Sequence, residues 1–311
     1  MLKIAATPVE YPAVGRDKTE ARSIYSSLIN YSPNQLALAR SHSYLNRQLE
    51  ATKRFEVDLP QGLEELSAWI DSNTRLVGHQ YKEYLKKRRL GDPRRYFVNK
   101  SHALYFLKSV APTKLVDGAW LYGLLEHWSD GRYSALIRIY LEELGEGIPD
   151  KNHVVIFKKL LAAHECDQDN NLNDAHYVQG AIQLSLAHHA SAFLPEAIGF
   201  NLGYEQLPLH LLITAYELNE LGIDPYYFTL HITVDNAASG HAKKALHGLF
   251  EALPRTMHRK VFFQRVINGF KLNLLGASTD SIIDEFNLRE ELVKILVNKS
   301  DVGAQMHSDY C

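Results

Sequence analysis

The sequence predicts an all-α protein, a bundle of about seven or eight helices. From Phe97 to Gly276 apolar residues recur at spacings of three and four almost without interruption, which is the period of one helix face. The strict alternation of apolar and polar residues that marks a half-buried strand is nearly absent. Proline, aspartate and glycine fall where helices start and stop. These observations favour helices packed on helices.

The region before the bundle contains few strong signals. Residues 1 to about 24 lack an apolar period and are expected to form an arm, whereas residues 26–70 show a weak helical pattern. Residues 82–95 carry seven cations. We assign them to the last turn of a helix, where they meet the negative end of the macrodipole, and not to nucleic-acid binding.

The positions of proline, aspartate and glycine predict where the helices inside the bundle begin and end. The expected starts are Pro112 with Asp117, Pro149-Asp150, Pro195, and Asp224-Pro225 before a helical segment 226–248. The expected ends are Gly145 with Gly147, and Gly222. The residues from Asn298 onward are expected to form a loose tail.

Composition is that of an ordinary soluble globular protein. The chain has 311 residues, 46% hydrophobic and 23% charged, with a net charge of −2. That charge supplies no field to attract nucleic acid or an anionic membrane, and no long uncharged apolar run occurs. Cys166 and Cys311 cannot build a disulfide framework or a cysteine-rich metal site. With no signal-peptide core at the amino terminus, we expect a cytoplasmic protein that binds neither nucleic acid nor membrane.

Histidine is the unusual residue, with fifteen copies, several of them near carboxylates in apolar segments. Glu143 and His153 flank a glycine-rich turn between two predicted helices, which can bring both side chains to one point. Taken alone, this segment is better explained by a solvent-facing glutamate and a histidine at a helix start.

A second segment holds two glutamates, Glu196 and Glu205, in very apolar surroundings. A carboxylate there must be paired, neutral or metal-bound, because an isolated buried charge is costly. Nine residues separate the two, which places them on opposite faces of a straight helix, so only one should face a common centre. Glu196 follows Pro195 and also suits a helix start.

The third segment contains His231 and Asp235, four residues apart and therefore on one helix face. His241 lies about 80° away on an ideal helix, so it can join them only if the helix is irregular near Gly240. A hydrogen-bonded structural His–Asp pair is the alternative. Three apolar segments that together supply three carboxylates and three imidazoles match a non-haem iron centre, and a carboxylate-bridged iron pair that activates dioxygen is the economical hypothesis.

The order of these motifs resembles a known family. The matching elements, over roughly residues 94–275, are Asp117-Gly-Ala-Trp120, Glu-Glu-Leu-Gly-x-Gly with Asn152-His153, Pro-Glu-x-x-Gly-Phe-Asn-Leu-Gly-Tyr-Glu205, and His231-x-x-x-Asp235-Asn with Gly240-His241. This pattern is similar to the iron-containing redox enzymes of the haem-oxygenase-like di-iron oxidase and oxygenase superfamily.

The resemblance implies a haem-oxygenase-like bundle of about seven helices that binds two Fe(II) ions per chain, not haem, and uses O2 as co-substrate. It implies oxidation of a small amino-acid-, amine- or fatty-acid-derived substrate by N-oxygenation, hydroxylation, desaturation or C–C cleavage, in natural-product biosynthesis. The implied domains are a helical extension over residues 1–95, the di-iron domain over 96–297 and the tail over 298–311. A homodimer is a further expectation.

The resemblance also implies the ligands. Carried over to this sequence, they are Glu143, His153, Glu205, His231 and Asp235, with Glu196 as the substitute for Glu205. Many members place a final histidine three residues after the aspartate, but position 238 is Ala, and the nearest candidate is His241. Asp117 could add a carboxylate or cap the following helix, and the cap is favoured. The alternative function is a haem-oxygenase-like bundle that binds a ligand or partner without redox chemistry.

Overall fold

The computed structural model of the chain describes residues 19–29, 32–166, 172–234, 240–255 and 258–308. Within these ranges the regular structure is helical and contains no strand, which confirms the predicted all-α class. The helices are α1 Glu20–Leu28, α2 Gln35–Thr52, α3 Leu66–Arg89, α4 Lys100–Lys114, α5 Ser134–Glu143, α6 His153–Ala162, α7 Val178–His188, α8 Leu194–Tyr204, α9 Leu209–Glu220, α10 Tyr226–Val234, α11 His241–Ala252, α12 Arg259–Lys271, α13 Thr279–Asp284 and α14 Leu288–Ser308. A long 3₁₀ segment, Ala119–His127, joins α4 to α5.

Several predicted boundaries are confirmed and others are displaced. Helix α8 begins beside Pro195, α9 ends before Gly222, and α10 follows Asp224-Pro225 directly. Pro112, however, lies inside the last turn of α4, where its fixed φ is compatible with a helix and only one hydrogen bond is lost. The predicted segment 226–248 is two helices, α10 and α11.

The ends of the chain also differ from expectation. Helix α1 begins at Glu20, inside the predicted arm, because the carboxylate of Asp174 accepts hydrogen bonds from the backbone N–H groups of Ala21 and Arg22 at 3.0 and 2.8 Å. This cap comes from a distant residue and leaves no local sequence signal. At the other end, α14 continues the helical backbone through Ser308, into the residues expected to be loose.

The buried apolar side chains form two cores. The first core packs α1, α2, α5, α7, α8, α11 and α12 together, and the second core packs α4, α6, α9 and α10 with the segment 96–97. Helices α8 and α12 approach to backbone contact, since a Cβ on Gly199 would lie 1.8 Å from the carbonyl oxygen of Val266 and one on Gly269 would lie 2.0 Å from that of Glu196. Only glycine allows this approach.

A buried carboxylate, Glu217 of α9, holds the segment 95–97 against the second core. It accepts hydrogen bonds from Tyr84 Oη at 2.7 Å and from the backbone N–H groups of residues 95, 96 and 97 at 2.5, 3.0 and 2.9 Å. The cations of 82–95 end α3 as predicted, and Arg88 pairs with Glu220 at 2.7 Å. Among the described residues, no helix is both long and apolar enough to cross a bilayer.

Candidate metal centre

Buried histidines and carboxylates meet in two groups between the two cores. Within each group the candidate ligand atoms all lie within 4.8 Å of one another. The first group is Asp117, Glu143, His153 and His231, and the second is Glu143, Glu205 and His241. Together these residues are called the six-residue cluster below. Because Glu143 belongs to both groups, its two oxygens can face two different ions.

The glycine turn after α5 brings Glu143 and His153 together, as the sequence predicts. Asn152 caps α6 by accepting a hydrogen bond from the Val155 N–H at 3.0 Å, and it donates to the Leu144 carbonyl at 3.2 Å. Helix α6 therefore starts at His153 with its Nδ1 in contact with Oε2 of Glu143. Both atoms are buried and neither has a partner in hydrogen-bond geometry, so two lone-pair donors face one point. This arrangement fits a metal ion.

Asp117 joins the first group and does not act as the helix cap that we favoured from the sequence. The backbone turns left-handed at Gly118, with φ of +79°, and Gly118 itself occupies the cap position of the 3₁₀ segment. The Asp117 side chain points inward instead and accepts hydrogen bonds from Tyr204 Oη at 2.8 Å and from Tyr227 Oη at 2.5 Å. His231 Nε2 lies 3.1 Å from the same carboxylate.

The ring of His231 is oriented by its own helix. Its Nδ1–H donates to the carbonyl of Tyr227, one turn earlier in α10, at 2.7 Å. This bond keeps the ring proton on Nδ1 and directs Nε2 into the cluster. Histidine ligands are commonly oriented in this way.

His241 reaches the cluster from a different helix. It is the first residue of α11, so the 80° offset calculated for one continuous helix does not apply. Its Nδ1 lies 3.1 Å from Glu205 Oε2 and 3.3 Å from Glu143 Oε1. Its Nε2–H donates to Glu142 Oε2 at 2.9 Å, on the side away from the cluster. Lys244 holds both oxygens of Glu142, at 2.6 and 2.7 Å.

The electrostatics of the cluster indicate a site for cations. Burial favours neutral Glu143, but His153 and His241 outweigh it and lower the pKa of Glu143 to about 2. Burial also opposes charge on His241, yet Glu205 and Glu143 raise its pKa to about 11. Burial raises the pKa of Glu205 and, with the charges of Glu143 and Asp117, outweighs the lowering by His241. In the absence of metal, protonated imidazoles therefore balance closely spaced carboxylates.

Comparison with known proteins shows the family of the chain. A profile of iron-containing redox enzymes matches residues 104–272, more than half of the chain. The chain belongs to this family. The matched region runs from α4 to the turn after α12 and includes all six residues of the cluster. No protein of curated function matches the chain.

Of the family ligands predicted from the sequence, the structure brings together Glu143, His153, Glu205, His231 and His241. Glu196 lies elsewhere: Arg265 binds its two oxygens from Nε and a terminal nitrogen, both at 2.6 Å. This ion pair leaves Glu205 as the glutamate from the second segment that faces the cluster. Asp235 lies outside the described residues.

Four side chains around the cluster had no role in the sequence prediction. They are Lys114, Glu142, Tyr227 and Lys244. Glu142 precedes Glu143 and looks like one more surface acid, and Tyr227 looks like core. Their contacts with the cluster and its neighbours come from pairs at least 90 positions apart, such as Glu142 with His241, so no local pattern could have revealed them.

Proposed function

We propose that this member of the family is a non-haem di-iron oxidoreductase that uses O2. The observation that carries the proposal is Glu143, whose carboxylate is shared by two groups of buried ligand atoms. A shared carboxylate between two imidazole-containing groups is a suitable bridge for two first-row metal ions. Three carboxylates with three imidazoles and no sulfur in the cluster favour iron over a structural zinc site.

In this proposal each ion has its own ligands. Asp117, His153 and His231 would hold one ion, Glu205 and His241 would hold the other, and Glu143, which belongs to both groups, would be shared. Asp235, predicted from the sequence as a ligand, remains a proposed addition to this set.

Bound ferrous iron would supply the electrons that reduce dioxygen. The protein residues around it have separate tasks. Tyr204 and Tyr227 donate hydrogen bonds to Asp117 and fix its orientation. His153 and His241, whose pKa values are raised by the neighbouring carboxylates, would release their protons on binding an ion. The burial of all six residues excludes water from the reacting centre.

The substrate that we propose is a small amino-acid-, amine- or fatty-acid-derived molecule. The reaction would be an N-oxygenation, hydroxylation, desaturation or C–C cleavage, with a place in natural-product biosynthesis. This part of the proposal rests on the resemblance of the motif order, and the cluster itself is compatible with each of these reactions.

Iron content after anaerobic loading with Fe(II) and desalting tests the proposal. We expect about two irons per chain in the parent and at most about one in Glu143→Gln, because the bridge serves both ions. Glu196→Gln is the matched control and should keep the parental iron content, since Glu196 pairs with Arg265 away from the cluster. Oxygen consumption by the loaded parent, lost in Glu143→Gln, completes the test. Equal iron content in the parent and in Glu143→Gln would contradict the proposal.

One observation favours the alternative function, a bundle that binds a ligand without redox chemistry. His231 and His241 already lie within hydrogen-bond distance of carboxylates in the metal-free arrangement. If these contacts are purely structural, the loaded parent contains no iron above background and consumes no oxygen.

A further inference from the structure

Helix α14 exposes its aliphatic side chains to solvent. The six large apolar residues among its first ten positions are between 45 and 57% exposed, and none of them belongs to either core of the described chain. They are Leu288, Leu292, Val293, Ile295, Leu296 and Val297. A surface helix normally directs such residues inward and its charges outward. Aliphatic side chains exposed at this density on one helix mark an interaction surface.

The side of α14 that faces the rest of the protein carries a charge. Glu291 is buried and forms an ion pair with Lys108 of α4 at 2.5 Å. Because successive residues of a helix are rotated by about 100°, Leu292, Val293 and Leu296 all point at least about 100° away from Glu291. The ion pair thus attaches α14 to α4, and the aliphatic face points away from this attachment.

The composition of α14 indicates what kind of surface covers this face. The helix runs for 21 residues, and helices in proteins owe most of their stability to the packing of an apolar face. Leucine, isoleucine and valine without aromatic residues suit the ridges and grooves of another helix. A helix that lies on a membrane carries a polar face rich in lysine and arginine, whereas here Glu290 and Glu291 accompany Lys294. The expected occupant is therefore a protein helix.

The pattern along α14 is complementary to itself. Leu288, Leu292 and Leu296 follow one another at spacings of four residues on one face. A two-fold axis at Leu292 therefore places Leu288 of one copy opposite Leu296 of an antiparallel second copy. The same axis sets Glu290 of one copy level with Lys294 of the other, whereas a parallel pair would set like charges side by side. Both the apolar residues and the charges thus favour an antiparallel pair of identical helices.

We propose that α14 is a dimerisation surface, on which α14 of a second copy of this chain packs in the antiparallel direction. The exposed aliphatic patch covers a few hundred Å², less than the roughly 800 Å² per partner of a standard stable interface. We therefore expect a reversible dimer with a dissociation constant of about 10 µM. The six-residue cluster contains no residue of α14, so this inference is independent of iron binding.

Sedimentation equilibrium of the full chain tests the inference. Between about 1 and 300 µM, a range that brackets the expected constant, the mean mass of the parent should rise from one chain toward two. Leu292→Glu should keep the mass of one chain throughout, because pairing would bury two carboxylates against each other. Val261→Glu makes the same kind of change at an exposed apolar residue of α12, and this control should behave as the parent.

A cysteine at the proposed axis gives a second measurement. In a Cys311→Ser background the remaining cysteine, Cys166, is buried. A short bismaleimide should join Leu292→Cys chains into covalent dimers, because the two thiols would lie next to each other across the axis. Val261→Cys should stay a single chain, since the proposed contact is confined to α14. This measurement also decides the question if Leu292→Glu loses its helical circular dichroism.

Other results would overturn the inference and identify a different occupant. A dimer that persists in a folded Leu292→Glu protein forms through another surface. A parent that stays a single chain, together with a dimer that appears only after deletion of residues 2–18, would show that the amino-terminal residues cover α14. A single-chain parent that binds phosphatidylcholine vesicles through Leu292 would assign the face to a lipid surface. Iron loading is measured separately, so none of these results bears on the di-iron proposal.

Discussion

The two ring nitrogens of His241 face opposite directions, and both lie close to carboxylates. Nε2–H donates to Glu142 outside the cluster, which leaves Nδ1 to face Glu143 and Glu205 inside it. Glu142 is itself held by Lys244 and by Arg138. A carboxylate behind a histidine ligand fixes the ring and increases its basicity, so in the proposed centre Glu142 would be a positioning residue for the ion at His241.

Replacement of Glu142 should therefore weaken one metal site and not the other. We expect Glu142→Ala to reduce the affinity of the second ion by about 10- to 100-fold, with the first ion unaffected. Competition between the protein and a coloured chelator for Co(II) measures both affinities. Glu142→Gln should recover part of the loss, because its amide oxygen can still accept from Nε2–H. Glu146→Ala is the control at a nearby exposed acid, and equal affinities in Glu142→Ala and this control would exclude the role.

The protonation of the cluster makes metal binding and metal-free stability respond oppositely to pH. The pKa of His241 is raised to about 11 in the folded, metal-free chain, above its unfolded value of about 6.5. Its stabilising contribution is therefore complete below pH 6.5 and is lost as the pH rises toward 11. His153, whose pKa is also raised, acts in the same direction.

We expect the thermal midpoint of the metal-free protein to fall between pH 7 and pH 10. Over the same interval the apparent affinity for a divalent ion should rise, because fewer protons must leave the imidazoles. Scanning calorimetry and metal titrations across this range measure the two trends. A His241→Gln protein should show a flatter stability profile, and a profile as steep as that of the parent would contradict the assignment.

At the scale of the elements, the turn between α4 and the 3₁₀ segment positions two ligands at once. Gly118 adopts φ of +79°, and a Cβ at this position would lie 2.8 Å from the Cβ of Glu143. The left-handed turn aims Asp117 inward, and the missing side chain lets the end of α5 approach.

Gly118→Ala should consequently disturb both stability and metal content. Strain at this φ and the contact with Glu143 should cost about 1–3 kcal/mol, and displacement of the shared carboxylate should lower the iron content. Gly78→Ala, in the interior of α3 with open space around it, is the matched control and should raise stability slightly, by about 1 kcal/mol or less. Urea unfolding and iron analysis of the two variants decide between these expectations.

Helix α9 carries a buried residue, Glu217, whose replacement should affect the stability of the protein. The Glu217 carboxylate accepts hydrogen bonds from three consecutive backbone N–H groups and from the hydroxyl of Tyr84. We expect Glu217→Ala to destabilise the protein by about 3–5 kcal/mol, because several buried donors lose their acceptor. Glu220→Ala, which removes partly exposed ion pairs with Arg88 and Arg94, should cost about 1 kcal/mol or less. Equal urea midpoints for the two variants would contradict this account.

The sequence alone predicts those parts of the site that depend on neighbours along the chain. The contact of Glu143 with His153 follows from one glycine turn, and the helix class follows from periodicity. The choice between Glu196 and Glu205 could not be made in this way, because it depends on Arg265, about 70 positions later. Asp117 was assigned as a cap because its true partners, Tyr204 and Tyr227, come from distant helices.

At the scale of the whole molecule, the six-residue cluster lies between the two cores. Glu143, Glu205 and His241 come from helices or helix ends of the first core, whereas His153 and His231 come from helices of the second. Asp117 lies on the connection between them. Metal ions bound here would join the two cores in addition to their apolar contacts.

Binding of a redox-inert ion should therefore stabilise the entire fold. We expect Zn(II) at about 100 times its dissociation constant to add about 2.7 kcal/mol to the free energy of unfolding, and the thermal midpoint to rise accordingly. Glu143→Gln should lose most of this increase. If Zn(II) shifts the midpoint of Glu143→Gln as far as that of the parent, the stabilising ions bind elsewhere.

This position of the cluster has a consequence for the lifetime of the protein. A chain without metal would keep the apolar packing and the hydrogen bonds between its two cores, such as that from Lys114 to Tyr204, but would lack the links through bound ions. It opens more often, and a protease cleaves a chain in proportion to the time that it spends open. If the cluster binds iron as proposed, the supply of iron in the surroundings would set how quickly the protein is degraded as well as how much of it is active.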